Sequence, residues 1–286
     1  MYKEELIKIT TDDFEEIALW KVYNKKNSSN VNLFLTHGTF SNKKICLGIS
    51  AYLVNLGYIC WIMEWRNHGE SAKPKTKFNF ETIAQFDIKA VLTYLLEDLK
   101  INQLHCITHS GGGICLTMCL LNNEKWVPKI SSMTLFSCQS FGACHTFKNR
   151  IKIQISKFIS SLLGYIPAKI IKLGPHNESY FTMKQWYNWN LTKNFKGDTG
   201  LNYLAVMKNI KIPILSISGE ADKFIAPKEG VAAFLNAFEN SKNKLIHCSI
   251  SNGFAENYNH SSVIYSRNAS LEIWPLVKDW IETTNT

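Results

Sequence analysis

A chain of 286 residues, 45% of them hydrophobic and 19% charged, is long enough for one large domain or for a core carrying an inserted subdomain, and this balance excludes wholesale disorder. The net charge of +9 comes from lysines scattered along the chain and thickest between Lys148 and Lys172. It fits good solubility, and with no recognisable binding motif beside it nucleic acid is not an expected partner.

The start Met1-Tyr2-Lys3-Glu4-Glu5 lacks the apolar core and small-residue cleavage site of a signal peptide, so a cytoplasmic location is expected. No apolar run approaches the roughly 20 residues of a membrane span. Two short, exposed strands are predicted first, Leu6 to Thr10 and Phe14 to Tyr23, the second alternating polar and apolar residues as an antiparallel edge strand does. Residues 24–30 read as a turn. Beyond it the pattern changes to continuous apolar runs separated by helical periodicity, the mark of a parallel sheet covered on both faces.

The buried strands are read at Val31 to Thr36, Tyr58 to Glu64, Leu104 to Thr108, Ile130 to Ser137, Ile212 to Ser218 and Lys244 to Ile250. Helices are read near Lys44 to Leu56, Phe80 to Leu99, Gly112 to Asn122, Lys228 to Phe238 and Ser270 to Glu282. Right-handed crossovers make this an α/β fold with a doubly wound, mostly parallel sheet. The stretch from Gln139 to Asn209 is too long for one crossing, so a helical cap over residues 139–209 is expected to interrupt a core built from 1–138 and 210–286. The tail Thr283 to Thr286 reads as frayed.

Eight cysteines sit mostly inside apolar runs, which suits buried free thiols. Cys115 and Cys119 are four apart on a predicted helix, but without a second ligand pair no metal is expected there.

The chemistry concentrates at Ile107-Thr108-His109-Ser110-Gly111-Gly112-Gly113, where a short apolar strand ends and a helix begins. A serine on so sharp a turn projects its hydroxyl out of the sheet, provided small residues stand two places before and after it. Gly112 meets that need, while Thr108 stands where the G-x-S-x-G pattern has its first glycine. The alternative is a serine that only caps the helix.

With that motif in place the chain resembles an α/β-hydrolase over almost its whole length. His37-Gly38-Thr39-Phe40 resembles the family's oxyanion loop. Glu64-Trp65-Arg66-Asn67-His68-Gly69-Glu70-Ser71 resembles its acidic-x-Arg-Gly-His-Gly-x-Ser turn, with Asn67 in place of the glycine. Ile212 to Asp222 is similar to the late strand and acid-bearing turn, and Asn259-His260-Ser261 to the turn of the family's histidine.

The resemblance implies a serine hydrolase needing no cofactor or metal, with Ser110 as nucleophile, Asp222 as acid and His260 as base. It places the oxyanion donors at the backbone N–H groups of Thr39 and Gly111. Glu220 is a rival acid two residues before Asp222, whereas His37, His68 and His109 match positions that shape turns. Arg66 and Asp87 read as scaffold.

The implied reaction is hydrolysis of a small-molecule or lipid-like carboxylic ester with an apolar acyl or alcohol part. Thioesterase, lactonase, amidase or peptidase activity on the same triad is the alternative, and a non-catalytic binding protein of the same fold a remoter one. Serine at 110 counts against the polyester synthases, which use cysteine, and against the relatives that use aspartate.

Substrate choice is expected in the cap, with Phe40, Trp186 and Trp189 as candidate binding residues. Between Phe147 and Leu173, lysines alternate with Ile151, Ile153, Ile155, Phe158, Ile159, Leu162 and Leu163. The first reading is a face packed on the core; the second is a basic lid in transient contact with a membrane surface. No obligate protein partner is evident.

Overall fold

The computed structural model describes residues 2–26 and 29–285. Asn27 and Ser28 of the predicted turn, Thr286 of the predicted tail and Met1 lie outside the described residues. The strands are β1 Lys3–Thr10, β2 Glu16–Tyr23, β3 Asn32–Thr36, β4 Ile59–Glu64, β5 Leu104–His109 and β6 Ile130–Phe136. After a long insertion holding the short β7 Tyr165–Ile166 and β8 Glu178–Ser179 come β9 Ile214–Gly219 and β10 Lys244–Cys248.

Eight of these form one sheet in the order β1-β2-β4-β3-β5-β6-β9-β10. β1, β2 and β4 pair antiparallel, and the other neighbours pair parallel. Apolar residues of the parallel strands bury on both faces, and helices cover each face over its own core.

The predicted edge strand Phe14 to Tyr23 needs correction. β2 lies inside the sheet between β1 and β4 and begins at Glu16, because Phe14 takes a left-handed φ of 64° in the turn that leads into it. β1 is the edge, and its outward residues are exposed and charged, as suits a strand with one open side.

The closing helix predicted from Ser270 to Glu282 is two pieces, Arg267–Glu272 and Trp274–Thr283, and the short helix Ser262–Tyr265 precedes them. The tail is not frayed through residue 285: the Thr284 N–H donates to the Trp280 carbonyl, and the Asn285 side chain meets His105 at 3.3 Å.

β3 feeds β4 on one side, and the chain then crosses back to lay β5 on the other side of β3. Such a reversal leaves a crevice at the carboxyl ends of the two strands, where ligands bind in sheets of this type. The turn after β4 is locked beside it. Arg66 is fully buried and pairs with Asp87 at 2.6 Å and Asp13 at 2.7 Å, joining three elements of the core. Asn67 takes φ 65°, a left-handed conformation that asparagine tolerates best among side chains with a Cβ, which explains its standing where the family's turn has glycine.

Between β6 and β9 the cap helices Phe147–Leu163 and Tyr180–Thr192 pack together, with Lys157 donating to Asn188. Glu81, a buried carboxylate on the body, anchors the second of them. It accepts from Gln185 at 3.0 Å, Thr199 at 2.9 Å and Tyr203 at 3.1 Å.

The reading of the first cap helix as packed on the core is overturned. Ile153 is buried, but Ile151, Ile155, Phe158, Ile159, Leu162 and Leu163 are exposed. The helix buries Asn149, Ile153 and Ser160 along one face, Ile159 and Leu163 border a cavity beside it, and the helical period turns Phe147, Ile151, Ile155, Phe158 and Leu162 outward.

Candidate active site

β5 ends at His109, and the helix Gly111–Asn122 begins two residues later, leaving Ser110 alone on the turn. Ser110 has φ 52° and ψ −123°, a strained conformation for a residue with a side chain. Its N–H donates to the Phe136 carbonyl at 2.8 Å and its carbonyl accepts from the Gly113 N–H at 3.1 Å, bonds that hold the turn closed.

The glycines make the turn possible. A Cβ on Gly112 would stand 2.6 Å from the His37 carbonyl oxygen. One on Gly113 would stand 2.6 Å from Cys138 Sγ and 2.9 Å from Thr108 Oγ1. Thr108 is therefore tolerated in place of the pattern's first glycine because Gly113 vacates the volume its hydroxyl needs.

The structure brings together the residues singled out in the sequence. His260 Nε2 lies 2.9 Å from Ser110 Oγ, and His260 Nδ1 lies 2.5 Å from Asp222 Oδ2. Asp222 Oδ1 accepts from the N–H groups of Ile225 and Ala226, both at 3.1 Å. Burial alone would raise the Asp222 carboxyl, but the neighbouring His260 and these hydrogen bonds outweigh it and hold the group below the usual carboxylate range.

The carboxylate is thus ionised near neutral pH and keeps the His260 proton on Nδ1, leaving Nε2 free to accept from the serine. Glu220, the rival acid, is engaged elsewhere. It pairs with His247 at 2.6 Å and with Lys223, contacts that draw its pKa down to about 2.

The loop after β3 presses against this turn. A Cβ on Gly38 would meet Ser110 Cβ at 2.7 Å and the Gly111 nitrogen at 2.9 Å, so glycine is required for the approach that brings Thr39 beside Gly111. Thr39, Ser110 and Gly111 line one cavity. His37 is a support: its Nε2 accepts from the Trp65 N–H at 3.2 Å and its Nδ1 contacts the Gly38 carbonyl at 2.7 Å.

Glu178 was not singled out in the sequence. Fully buried, it accepts from the Phe40 N–H at 3.2 Å and pairs with His68 at 2.9 Å, so a residue of the cap pins the loop that carries Thr39. Burial works against the His68 charge, but Glu178 outweighs it and raises the imidazole pKa. The signal was visible: Glu178 is the first acidic residue after Glu124.

His109 sits against His260, with ring centres 4.9 Å apart and Nε2 at 2.9 Å from the His260 carbonyl. Burial, aided by repulsion from His260, lowers its pKa to about 3, so the folded protein keeps it neutral. An unfolded histidine takes up its proton near pH 6.5, so this contribution to stability is full above that pH and is lost as pH falls toward 3. About 2 kcal/mol should disappear between pH 7 and pH 5 through this group. Urea unfolding at both pH values checks it: the pH-dependent loss in His109→Gln should be smaller than in wild type by that amount, and an equal loss would exclude the account.

A family model described as alpha/beta hydrolase fold matches residues 31–148, a span that holds the Gly38 loop and Ser110. No curated protein matches the chain. Among solved structures, an esterase of Pyrococcus furiosus is similar at 18% identity and a TM-score of 0.63, covering 99% of this chain and 93% of that one. An esterase of Exiguobacterium antarcticum is similar at 16% identity and a TM-score of 0.65, covering 96% and 98%. The mouse alpha/beta hydrolase domain-containing protein 10 is similar at 12% identity and a TM-score of 0.67, covering 98% and 99%.

The chain has the α/β-hydrolase fold. Two cavities share Thr39, Phe40, Leu173 and Ile225, one reaching Ser110 and the other His260. One, of about 330 Å³, is walled by Phe40, Phe80, Ile114, Met183, Trp186 and Ile159 and opens on Ser110 and Gly111. The other, of about 400 Å³, is bordered by Ser41, Asn42, Lys44, Lys172, His260 and Ser261. Phe40 and Trp186 thus border the apolar cavity. Trp189 does not: it packs on Phe80 and Phe195, and its indole N–H donates to the Lys196 carbonyl at 2.8 Å, so its role is to hold the cap together.

All eight cysteines are free and buried, Cys115 and Cys119 among them. Among the described residues no group of His, Cys, Asp or Glu is arranged to hold a metal, and no helix is long and apolar enough to cross a membrane.

Proposed function

We propose that the chain is a serine hydrolase cleaving carboxylic esters that carry an apolar acyl group, with Ser110 as nucleophile, His260 as base and Asp222 as acid. The observation that carries this reading is the Ser110–His260–Asp222 hydrogen-bonded line between a strongly apolar cavity and a more polar one.

Ser110 Oγ attacks the ester carbon as its proton passes to His260 Nε2, and the resulting imidazolium is steadied by Asp222. The carbonyl oxygen, now negative, takes hydrogen bonds from the Thr39 and Gly111 N–H groups, each such donor supplying about 3 kcal/mol of barrier lowering. As the tetrahedral adduct collapses, the bond to the alcohol oxygen breaks and His260 returns the proton to that oxygen. The alcohol must therefore leave on the His260 side, into the more polar cavity, while the acyl chain stays in the strongly apolar one. Water enters where the alcohol left and attacks the acyl carbon as it loses a proton to His260; the bond to Ser110 Oγ then breaks, Oγ takes that proton back from His260, and the acid leaves.

The chemistry is complete without a cofactor. A fluorophosphonate, which reacts with an activated serine, tests it directly: wild type should label, and failure to label would leave only a binding protein. On p-nitrophenyl esters, kcat/KM should rise with acyl length by up to about fourfold per methylene until the cavity is full, since each buried methylene contributes about 0.8 kcal/mol. A flat or falling profile from acetate onward would remove the apolar acyl group from the reading.

A further inference from the structure

The outward face of the cap is the part of the molecule that the proposed reaction does not use. Along the helix Phe147–Leu163, Phe147, Ile151, Ile155, Phe158 and Leu162 recur at spacings of three and four and form one exposed stripe. Phe147 is 78% exposed, Phe158 65% and Leu162 73%. Just beyond the helix Ile170, 80% exposed, extends the same kind of surface. Large apolar side chains grouped in this way mark a docking surface far more than single exposed ones do.

Its charge says what docks there. From Phe147 to Leu173 the chain carries six basic residues, Lys148, Arg150, Lys152, Lys157, Lys169 and Lys172, and no acidic one. Arg150 donates to the Leu191 carbonyl and Lys157 to the Asn188 side chain, while Lys148, Lys152, Lys169 and Lys172 are exposed beside the apolar residues.

We propose that this face docks the protein on an anionic lipid surface. The apolar stripe enters the boundary between headgroups and acyl chains, and the lysine stems lie along it with their ammonium groups at the headgroup level. A second copy of the chain fits poorly, because a two-fold pairing of this face would set its cations against the same cations. Nucleic acid offers the charge but no apolar phase for Phe158 and Leu162.

The face also continues into the apolar cavity. Ile159, Leu163, Ile171 and Leu173 are exposed and line that cavity as well, so a lipid acyl chain can pass from a docked surface to Ser110 without crossing water. This last step rests on the proposed esterase reading; the docking itself does not.

Flotation of the full chain with vesicles separates the two. Wild type should float with phosphatidylcholine vesicles containing phosphatidylserine, more weakly with phosphatidylcholine alone, and less as salt is added. Phe158→Ser combined with Leu162→Ser should lower the partition at least about tenfold. Lys148→Glu combined with Lys169→Glu should lower it by about fivefold or more per position on the anionic vesicles.

Neither pair lines the cavities, so hydrolysis of a soluble short-chain ester should stay at the wild-type rate in both. Loss of that rate in wild type would strike the esterase reading and leave the docking result intact. The docking proposal is overturned if wild type floats with neither vesicle, if the Phe158/Leu162 variant floats like wild type, or if ultracentrifugation finds a dimer that this variant dissociates.

Discussion

Replacing Ser110 with alanine should lower kcat by about a million-fold, leave KM nearly unchanged and abolish fluorophosphonate labelling. The loss is that large because the three side chains act as a unit: without an Oγ to deprotonate, His260 and Asp222 have nothing to activate. A residual rate of about a thousand-fold over water should remain, since the Thr39 and Gly111 N–H groups still stand where an oxyanion would form.

The same position carries a second, opposite effect. Ser110 is held at φ 52°, a conformation costly for any residue with a Cβ. Ser110→Gly should therefore be as inactive as Ser110→Ala yet unfold about 1 to 2 kcal/mol less readily, a difference that parallel urea titrations resolve. If glycine gives no gain over alanine, the turn is not strained at this residue. If the alanine variant keeps more than about a hundredth of wild-type kcat, Ser110 is not the nucleophile.

That strain bears on how much of the molecule can be read from its sequence. The alternation of apolar runs and helical periods specifies the central strands closely, because residues buried on both faces leave no other register open. The edge is harder. β2 buries Ile17, Ala18 and Leu19 in succession, and the order of apolar and polar residues is silent about whether a neighbour lies on each side, so an interior strand reads as an edge.

The candidate catalytic side chains are legible because each sits on a turn whose backbone demands particular neighbours. Gly38 and Gly112 are fixed by approaches under 3 Å that no Cβ survives. Trp189 and the cap helix misled for one reason: an aromatic or apolar residue carries the same pattern whether it faces a ligand, a neighbouring helix or the outside. Glu178 is the converse, a single acid in a basic segment whose partner His68 lies far away in sequence, so that only the folded chain shows it gripping the loop that carries Thr39.

Substituting Asp222 with asparagine should lower kcat by about ten-thousand-fold, while Glu220→Gln should leave it within about twofold of wild type. The two substitutions are chemically alike and two residues apart, so they test geometry and not local charge. In Asp222→Asn the side chain keeps its shape, but its two ends are no longer equivalent. The Ile225 and Ala226 N–H groups, which meet Oδ1 at 3.1 Å, must be given the amide oxygen. That turns the amide N–H toward His260 Nδ1, where the carboxylate oxygen had been at 2.5 Å.

A donor at that point requires Nδ1 to accept, so the ring proton moves to Nε2 and faces the Ser110 hydroxyl, which it can no longer deprotonate. Glu220 offers no such control, since its carboxylate is committed to His247 and Lys223 on a more exposed surface. Equal losses in the two variants would mean that Asp222 acts through charge alone, and a larger loss in Glu220→Gln would transfer the acid's role to Glu220.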